Sequence, residues 1–189
     1  WFDLVQQDSL IPMGSSVNLN KNPKFRVKAV GAFEQKSGCP DYTSTNITEE
    51  EIEKICKNEC YNPSDTRKNI SRIEIIKITP QISKDEPIDG LIQDTWKTFD
   101  CQPSQEGCEV EFSDEDFEFN ARDSIYYVRA VQEPSPVVNA ENLRCTYDEN
   151  GDCIKVNICY GDSRTDKDDD CLSLSEERAW SSPIYVNYK

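Results

Sequence analysis

Two acidic stretches carry the residue types of a hard-cation site. The run DSRTDKDDDC (162–171) crowds Asp162, Asp166, Asp168, Asp169 and Asp170 together, and YDENGD (147–152) sets Asp148, Asn150 and Asp152 at alternate positions. Closely spaced oxygen ligands of this kind hold Ca²⁺. The first run lacks the central Gly and closing Glu of an EF-hand loop, and the second runs into Cys153 with no bidentate Glu after it. Asp148, Asn150, Asp152, Asp166, Asp168 and Asp170 therefore stand as calcium candidates beside a plainer reading, a solvated acidic loop. Glu176, Glu177 and Arg178, just before Trp180, form a second candidate site. The reading favoured for them is structural, with Arg178 and Trp180 locking a loop onto the body of the domain. Carboxylates are too numerous for any pair to be read as glycosidase machinery.

Other chemistry is excluded by composition. The chain has 189 residues, nine cysteines and no histidine. Without histidine there is no Ser-His or Cys-His nucleophile and no His-rich catalytic zinc. The cysteines Cys39, Cys56, Cys60, Cys101, Cys108, Cys145, Cys153, Cys159 and Cys171 lack paired CxxC knuckles and sit in polar segments. Such usage reads as disulfides in an oxidising compartment. Cys101 and Cys108 bracket QPSQEG, Cys145 and Cys153 bracket TYDENGD, and Cys159 and Cys171 bracket the acidic run. Cys39 can reach Cys56 or Cys60. An odd count leaves at least one cysteine free or paired outside this chain.

Charge narrows the partners. Lys and Arg total 21 against 36 Asp and Glu, a formal charge of −15. That field repels phosphate backbones and anionic headgroups, so nucleic acid and membrane surfaces are poor partners. No apolar run approaches the roughly 20 residues of a membrane span. No signal peptide is visible and the first residue is Trp1. We expect a processed or excised piece of a longer protein.

The elements that must position these residues are mostly strands. WFDLV (1–5) opens one. PKFRVKAVGA (23–32) sets Phe25, Val27 and Ala29 against Arg26, Lys28 and Val30, a half-buried strand. NISRIEIIKITP (69–80) turns Ile73, Ile75 and Lys77 one way and Glu74, Ile76 and Ile78 the other. GLIQDTWKTFDC, CEVEFSD and WSSPIYVNYK follow the same logic, with Pro183 at an edge or bulge because it lacks an amide donor. In SIYYVRAVQ (124–132), Tyr126, Val128 and Ala130 share one face and Ile125, Tyr127, Arg129 and Val131 the other. Residues 33–69 and 133–179 read as insertions. The first holds a helix, because Thr48 and Glu51 form a capping box. Ile52, Ile55, Cys56 and Cys60 then share one helical face. In the second, Glu149-Asn150-Gly151 signals a type I′ hairpin turn joining RCTY to CIKVNICY. About seven strands at this spacing predict a single all-β domain over 1–189: an antiparallel, immunoglobulin-like β-sandwich with a short inserted helix and disulfide-tied loops.

Two family resemblances add to this. Tyr-x-Val-x-Ala followed by a Pro-containing loop resembles the strand before last in fibronectin type III and immunoglobulin-like domains. There a tyrosine hydroxyl bonds back to the preceding turn, and Tyr126 is the match. WSSPIYVNY resembles the last strand of such domains. Over nearly the whole chain, WFDLVQQDSLIPMGSS, PKFRVKAVGA, RIEIIKITPQ, FEFNARDSIYYVRAVQEPSP and CYGDSRTDKDDDCLSLSEERAWSSPIYV resemble, in that order, the C-terminal part of bacterial proteins of the domain of unknown function 3604 family. That resemblance implies a longer parent. Its N-terminal part is similar to metal-dependent phosphoesterases of the polymerase-and-histidinol-phosphatase type, with His and Asp ligands that this chain lacks. A bacterial source would make the acceptor patterns Asn46-Ile47-Thr48 and Asn69-Ile70-Ser71 coincidental.

The expectation is a non-catalytic accessory domain of a secreted or periplasmic metallo-hydrolase. It needs no cofactor of its own beyond the calcium weighed above, and its partner is the N-terminal catalytic part of the same polypeptide. Two other classes stay open. A carbohydrate-binding or adhesive sandwich would show an exposed row of Trp96, Trp180 and Tyr185. A hydrolase using carboxylates alone would need a deep acidic cleft.

Overall fold

The computed structural model describes residues 1–7, 9–40, 42, 45–56 and 61–189. In chain order the elements begin β1 (Phe2–Gln6), β2 (Ser9–Pro12), β3 (Ser16–Leu19), β4 (Lys24–Ala29), β5 (Phe33–Ser37), α1 (Glu49–Cys56), β6 (Tyr61–Arg67), β7 (Ile70–Ile78), β8 (Ile92–Asp100) and β9 (Cys108–Ser113). They continue with α2 (Phe117–Asn120), β10 (Ser124–Gln132), β11 (Ser135–Val138), α3 (Ala140–Arg144), β12 (Thr146–Tyr147), β13 (Cys153–Lys155), β14 (Leu172–Ser175), β15 (Arg178–Trp180) and β16 (Ile184–Tyr188).

Two sheets build the body, one ordered β2-β1-β4-β9 and the other β3-β16-β10-β7-β8, with β15 also on β10. Strand pairs within them are antiparallel except β3 on β16. The period-2 pattern of β4 buries Phe25 and Val27, and β1 adds Phe2 and Leu4. Opposite them lie Ile73 and Ile75 of β7, Tyr126 and Val128 of β10, and Ile184 and Val186 of β16. Phe25 is the hub, with ring centroids 4.7 Å from Tyr126 and 5.0 Å from Phe112. Each such side chain removed from water contributes roughly 1.5–3 kcal/mol. This is an all-β sandwich.

β10 is apolar on both faces because it is flanked on both sides and packed from both. It pairs with β7 along nearly its whole length and with β16 and then β15 on the other edge. Its inner residues Ser124, Tyr126, Val128 and Ala130 are buried, and so is Val131 on the opposite face. The expected facing of Tyr126 is therefore seen, but its expected backbone partner is not. The hydroxyl instead donates to the Asp114 carboxylate at 2.5 Å. A buried acid at the end of β9 outcompetes a neutral carbonyl, because a charge-assisted hydrogen bond is the stronger one.

The segment 33–69 contains a ribbon, β5 with β6, around α1. The capping box is present in both directions: the Thr48 amide donates to Glu51 at 2.9 Å and the Glu51 amide to Thr48 Oγ1 at 3.3 Å. The segment 133–179 holds the ribbon β11–β14, the small hairpin β12–β13 and β15. The expected type I′ turn is corrected. Gly151 has positive φ and Asn150 does not. Asp148 instead organises a longer loop, accepting the amides of Asn150 and Asp152 at 2.9 Å each. Pro183 falls at the break between β15 and β16, as its missing donor requires.

Disulfides join Cys101 to Cys108, Cys145 to Cys153 and Cys159 to Cys171, the three loop-closing pairs. Cys39 is also disulfide-bonded. The expected role of Cys56 or Cys60 as its partner lies outside the described side chains. Among the described residues no helix is long and apolar enough to cross a membrane.

Candidate binding cleft

The sandwich is open at one end, and the cause is side-chain size. β16 starts only at Ile184, and past the break at Ser181–Pro183 its place beside β10 passes to β15. There Ala130 faces Ala179 across the pair, and Ala29, Gly31 and Ala32 stand on the other sheet's side. Small residues on both walls leave a cleft of about 580 Å³, the size of a small-molecule or peptide-side-chain site. Phe2, Val27, Ile70 and Val128 form its apolar floor. Trp1 stands on the rim, 68% exposed, while Trp180 borders the cleft through its backbone and turns its indole to the outer face.

The polar end of the cleft is cross-braced. Gln132 reaches from β10 to the segment that follows β4, where its Oε1 accepts the Ala32 amide at 2.6 Å, while its Nε2 donates to Glu177 at 2.7 Å. Lys68 donates to the same Glu177 oxygen at 2.9 Å. Backbone closeness forces the glycine here: a Cβ on Gly31 would sit 1.8 Å from the Lys68 carbonyl oxygen. The cleft is thus a preformed, mostly apolar hollow with one hydrogen-bonded wall.

On the outer face of the second sheet lies a chain of ion pairs. Arg72 grips Glu176 in a bidentate pair at 2.6 and 2.7 Å and donates its Nε to Glu74 at 2.6 Å. Arg129 donates to the other oxygen of Glu74 and pairs with Asp94 at 3.2 Å. Burial opposes ionisation of Glu74, yet hydrogen bonds from Arg72 and Arg129, and their charges, hold its carboxyl below the usual range. The hydrogen bond from Arg72 lowers Glu176 likewise. The Arg129 guanidinium lies 4.9 Å from the Trp180 ring centroid, and Tyr127 packs on the same indole at 6.0 Å. Arg178 approaches Glu176 at 3.7 Å.

Inside the core, Lys77 of β7 and Asp114 meet at 2.5 Å, with the Tyr126 hydroxyl on the same Asp114 oxygen. Burial, then the hydrogen bond to Asp114, push the Tyr126 phenol above its ordinary range. Trp96 covers the amine, 5.1 Å from ring centroid to Nζ.

Of the calcium candidates, Asp148, Asn150 and Asp170 are engaged locally. Among the described residues no three His, Cys, Asp or Glu side chains are grouped to hold a metal ion. Asp148 braces its own loop, as above. Asp162 pairs with Arg164, Asp169 with Arg144, and Asp170 accepts the Leu172 amide. Asp166 and Asp169 border an open hollow of about 620 Å³ within 159–171. The expected aromatic row is corrected too. Trp96 turns into the core against Phe112 and Tyr126, while Trp180 and Tyr185 pair opposite Arg129 and Ile125 on the outer face. Asn69 is tied down, its side chain accepting the Ser104 amide and donating to Glu133.

Sequence reasoning passed over Lys77, Asp114, Gln132 and the Arg72–Glu74–Arg129 cluster. The signal for Lys77 was its place on the same face as Ile73 and Ile75. A lysine on a core face demands an acid close by.

Comparison with protein-family models, with curated proteins and with solved structures finds no match to this chain.

Proposed function

We propose that the chain is a non-catalytic, accessory β-sandwich module of a secreted or periplasmic protein, and that it packs through the apolar cleft against the catalytic part of the same polypeptide. The observation that carries the reading is the cleft, an apolar hollow of about 580 Å³ with exposed Trp1 at its rim. Covering such surface is favourable, and contiguous exposed apolar patches mark interaction sites. The titratable groups along its edge are Lys28, Glu177 and Arg178, and Glu177 is already held by Gln132 and Lys68. This lining suits binding, whereas a carboxylate-only hydrolase needs acidic walls.

Further support comes from topology. The order β1-β4-β9 against β16-β10-β7-β8, with Tyr126 near the start of β10, fits the immunoglobulin-like reading. Oxidised cysteines fit a secreted or periplasmic setting. The resemblance to the domain of unknown function 3604 family suggests a phosphoesterase-like partner. The test is calorimetric titration of this chain with the separately expressed N-terminal part. Binding that Ala179→Trp abolishes, by filling the cleft, supports the reading; absence of binding by the unaltered chain overturns it.

A carbohydrate-binding module is the second reading, favoured by the exposed Trp180 indole backed by Arg129 and Tyr127. Glycan binding lost in Trp180→Ala, with no titratable partner domain, would put it first.

A further inference from the structure

We propose that Lys77 and Asp114 form a self-modification site, condensing to an intramolecular amide that ties the two sheets together covalently. Lys77 belongs to β7 in one sheet, and Asp114 follows β9 at the end of the other. Nζ lies 2.5 Å from Oδ2, and the two side chains are 7% and 0% exposed. Both carboxyl oxygens are held. Oδ1 accepts the Asp116 amide at 3.2 Å, and Oδ2 accepts the Tyr126 hydroxyl at 2.5 Å. Trp96 and Tyr126 lie over the amine, with ring centroids 5.1 and 6.0 Å from Nζ. An amine and a carboxyl are thus fixed in contact, away from bulk water, with a phenol on the oxygen that must leave.

The chemistry balances without a co-reactant. One proton passes from the ammonium to the carboxylate, turning the ion pair into amine and carboxylic acid. The Nζ lone pair attacks Cγ, and the carbonyl electron pair moves onto Oδ1, to which the Asp116 N–H donates a hydrogen bond. Collapse restores the carbonyl and breaks the Cγ–Oδ2 bond. Tyr126 delivers its proton to the departing Oδ2 and recovers one from Nζ. The Nζ–Cγ bond is made, and one water leaves. Held reactants of this kind avoid the entropy cost of a bimolecular encounter. The product also replaces two buried charges, which are expensive to desolvate, by one neutral amide.

The test is the intact mass of the purified full chain after complete disulfide reduction and alkylation under denaturing conditions. The expected mass is lower than that of the sequence by one water. Proteolytic mapping should give a branched peptide joining Lys77 to Asp114. Lys77→Arg and Asp114→Ala should both restore the full mass, and Tyr126→Phe, which keeps the ring, should slow or reduce the condensation. An unmodified mass for the wild-type chain overturns the proposal and leaves a permanent ion pair. A loss of water that persists in Lys77→Arg, as from a succinimide at Asp89-Gly90, overturns it equally.

Discussion

Glu74→Gln should weaken the fold measurably at neutral pH and less in acid. Glu74 is a buried carboxylate with one arginine on each oxygen. A hydrogen bond to a charged group contributes about 1.5–3 kcal/mol. Two such bonds set the upper range, but each arginine keeps a second acid, Glu176 for Arg72 and Asp94 for Arg129. The full cost of stranding a buried charge, about 3–5 kcal/mol, therefore does not apply. Glutamine keeps the shape and still accepts from one guanidinium, while its amide group opposes the other. The expected loss is about 2–3 kcal/mol at pH 7. The sign with pH follows from the lowered carboxyl. Its stabilisation is fully present above the unfolded value of about 4.3. It is lost as pH falls through the folded value. Other lowered acids, such as Glu176 and Asp169, make both proteins weaker in acid, so the difference between them isolates Glu74. Urea denaturation at pH 7 and pH 3 measures it. An equal gap at both pH values, or none at pH 7, would refute the reasoning.

In a Lys77→Arg background, which keeps Asp114 a carboxylate, Tyr126→Phe should cost about 1.5–3 kcal/mol, because it removes a donor from that buried group. Tyr127→Phe, on the outer face against Trp180, should stay within about 0.5 kcal/mol; the reverse ranking in urea would mean the facing of β10 is wrong. Gly31→Ala should cost about 3 kcal/mol or more, since the new methyl meets backbone rather than a side chain that can turn away; thermal melting reads it, and an unchanged melt would remove the close approach. Replacing Cys101 and Cys108 together by Ala should cost about 2.5 kcal/mol by loop entropy. The six cysteines of the three bridges should resist thiol reagents until reduced, and free thiols at all six in protein made in an oxidising compartment would contradict the pairing.

What could be read from sequence was what is local. Alternation in SIYYVRAVQ sets the facing of Tyr126, and Thr48 with Glu51 declares a helix start, because neighbours along the chain settle both. The three described bridges close short loops and were legible for the same reason. What could not be read depends on distant segments meeting. β3 is only four residues long and gains meaning only beside β16, its parallel partner. The cleft is made by what Ala29, Gly31, Ala130 and Ala179 lack, and small residues leave no periodic signal. Lys77, Asp114 and Tyr126 come from three strand ends or interiors, so their shared hydrogen bonds appear only after the sheets face each other. Asn150-Gly151 misled because Asp148 offered its backbone a better set of bonds than a two-residue turn does.

Hydrogen exchange of this chain, with and without the proposed N-terminal catalytic part, tests the cleft most directly as the docking face. Docking at the cleft predicts slowed exchange in β1, the end of β4 and β15, with the edge strand β8 unchanged. Protection confined to β8 and the outer face of β7, or no protection anywhere, would contradict it.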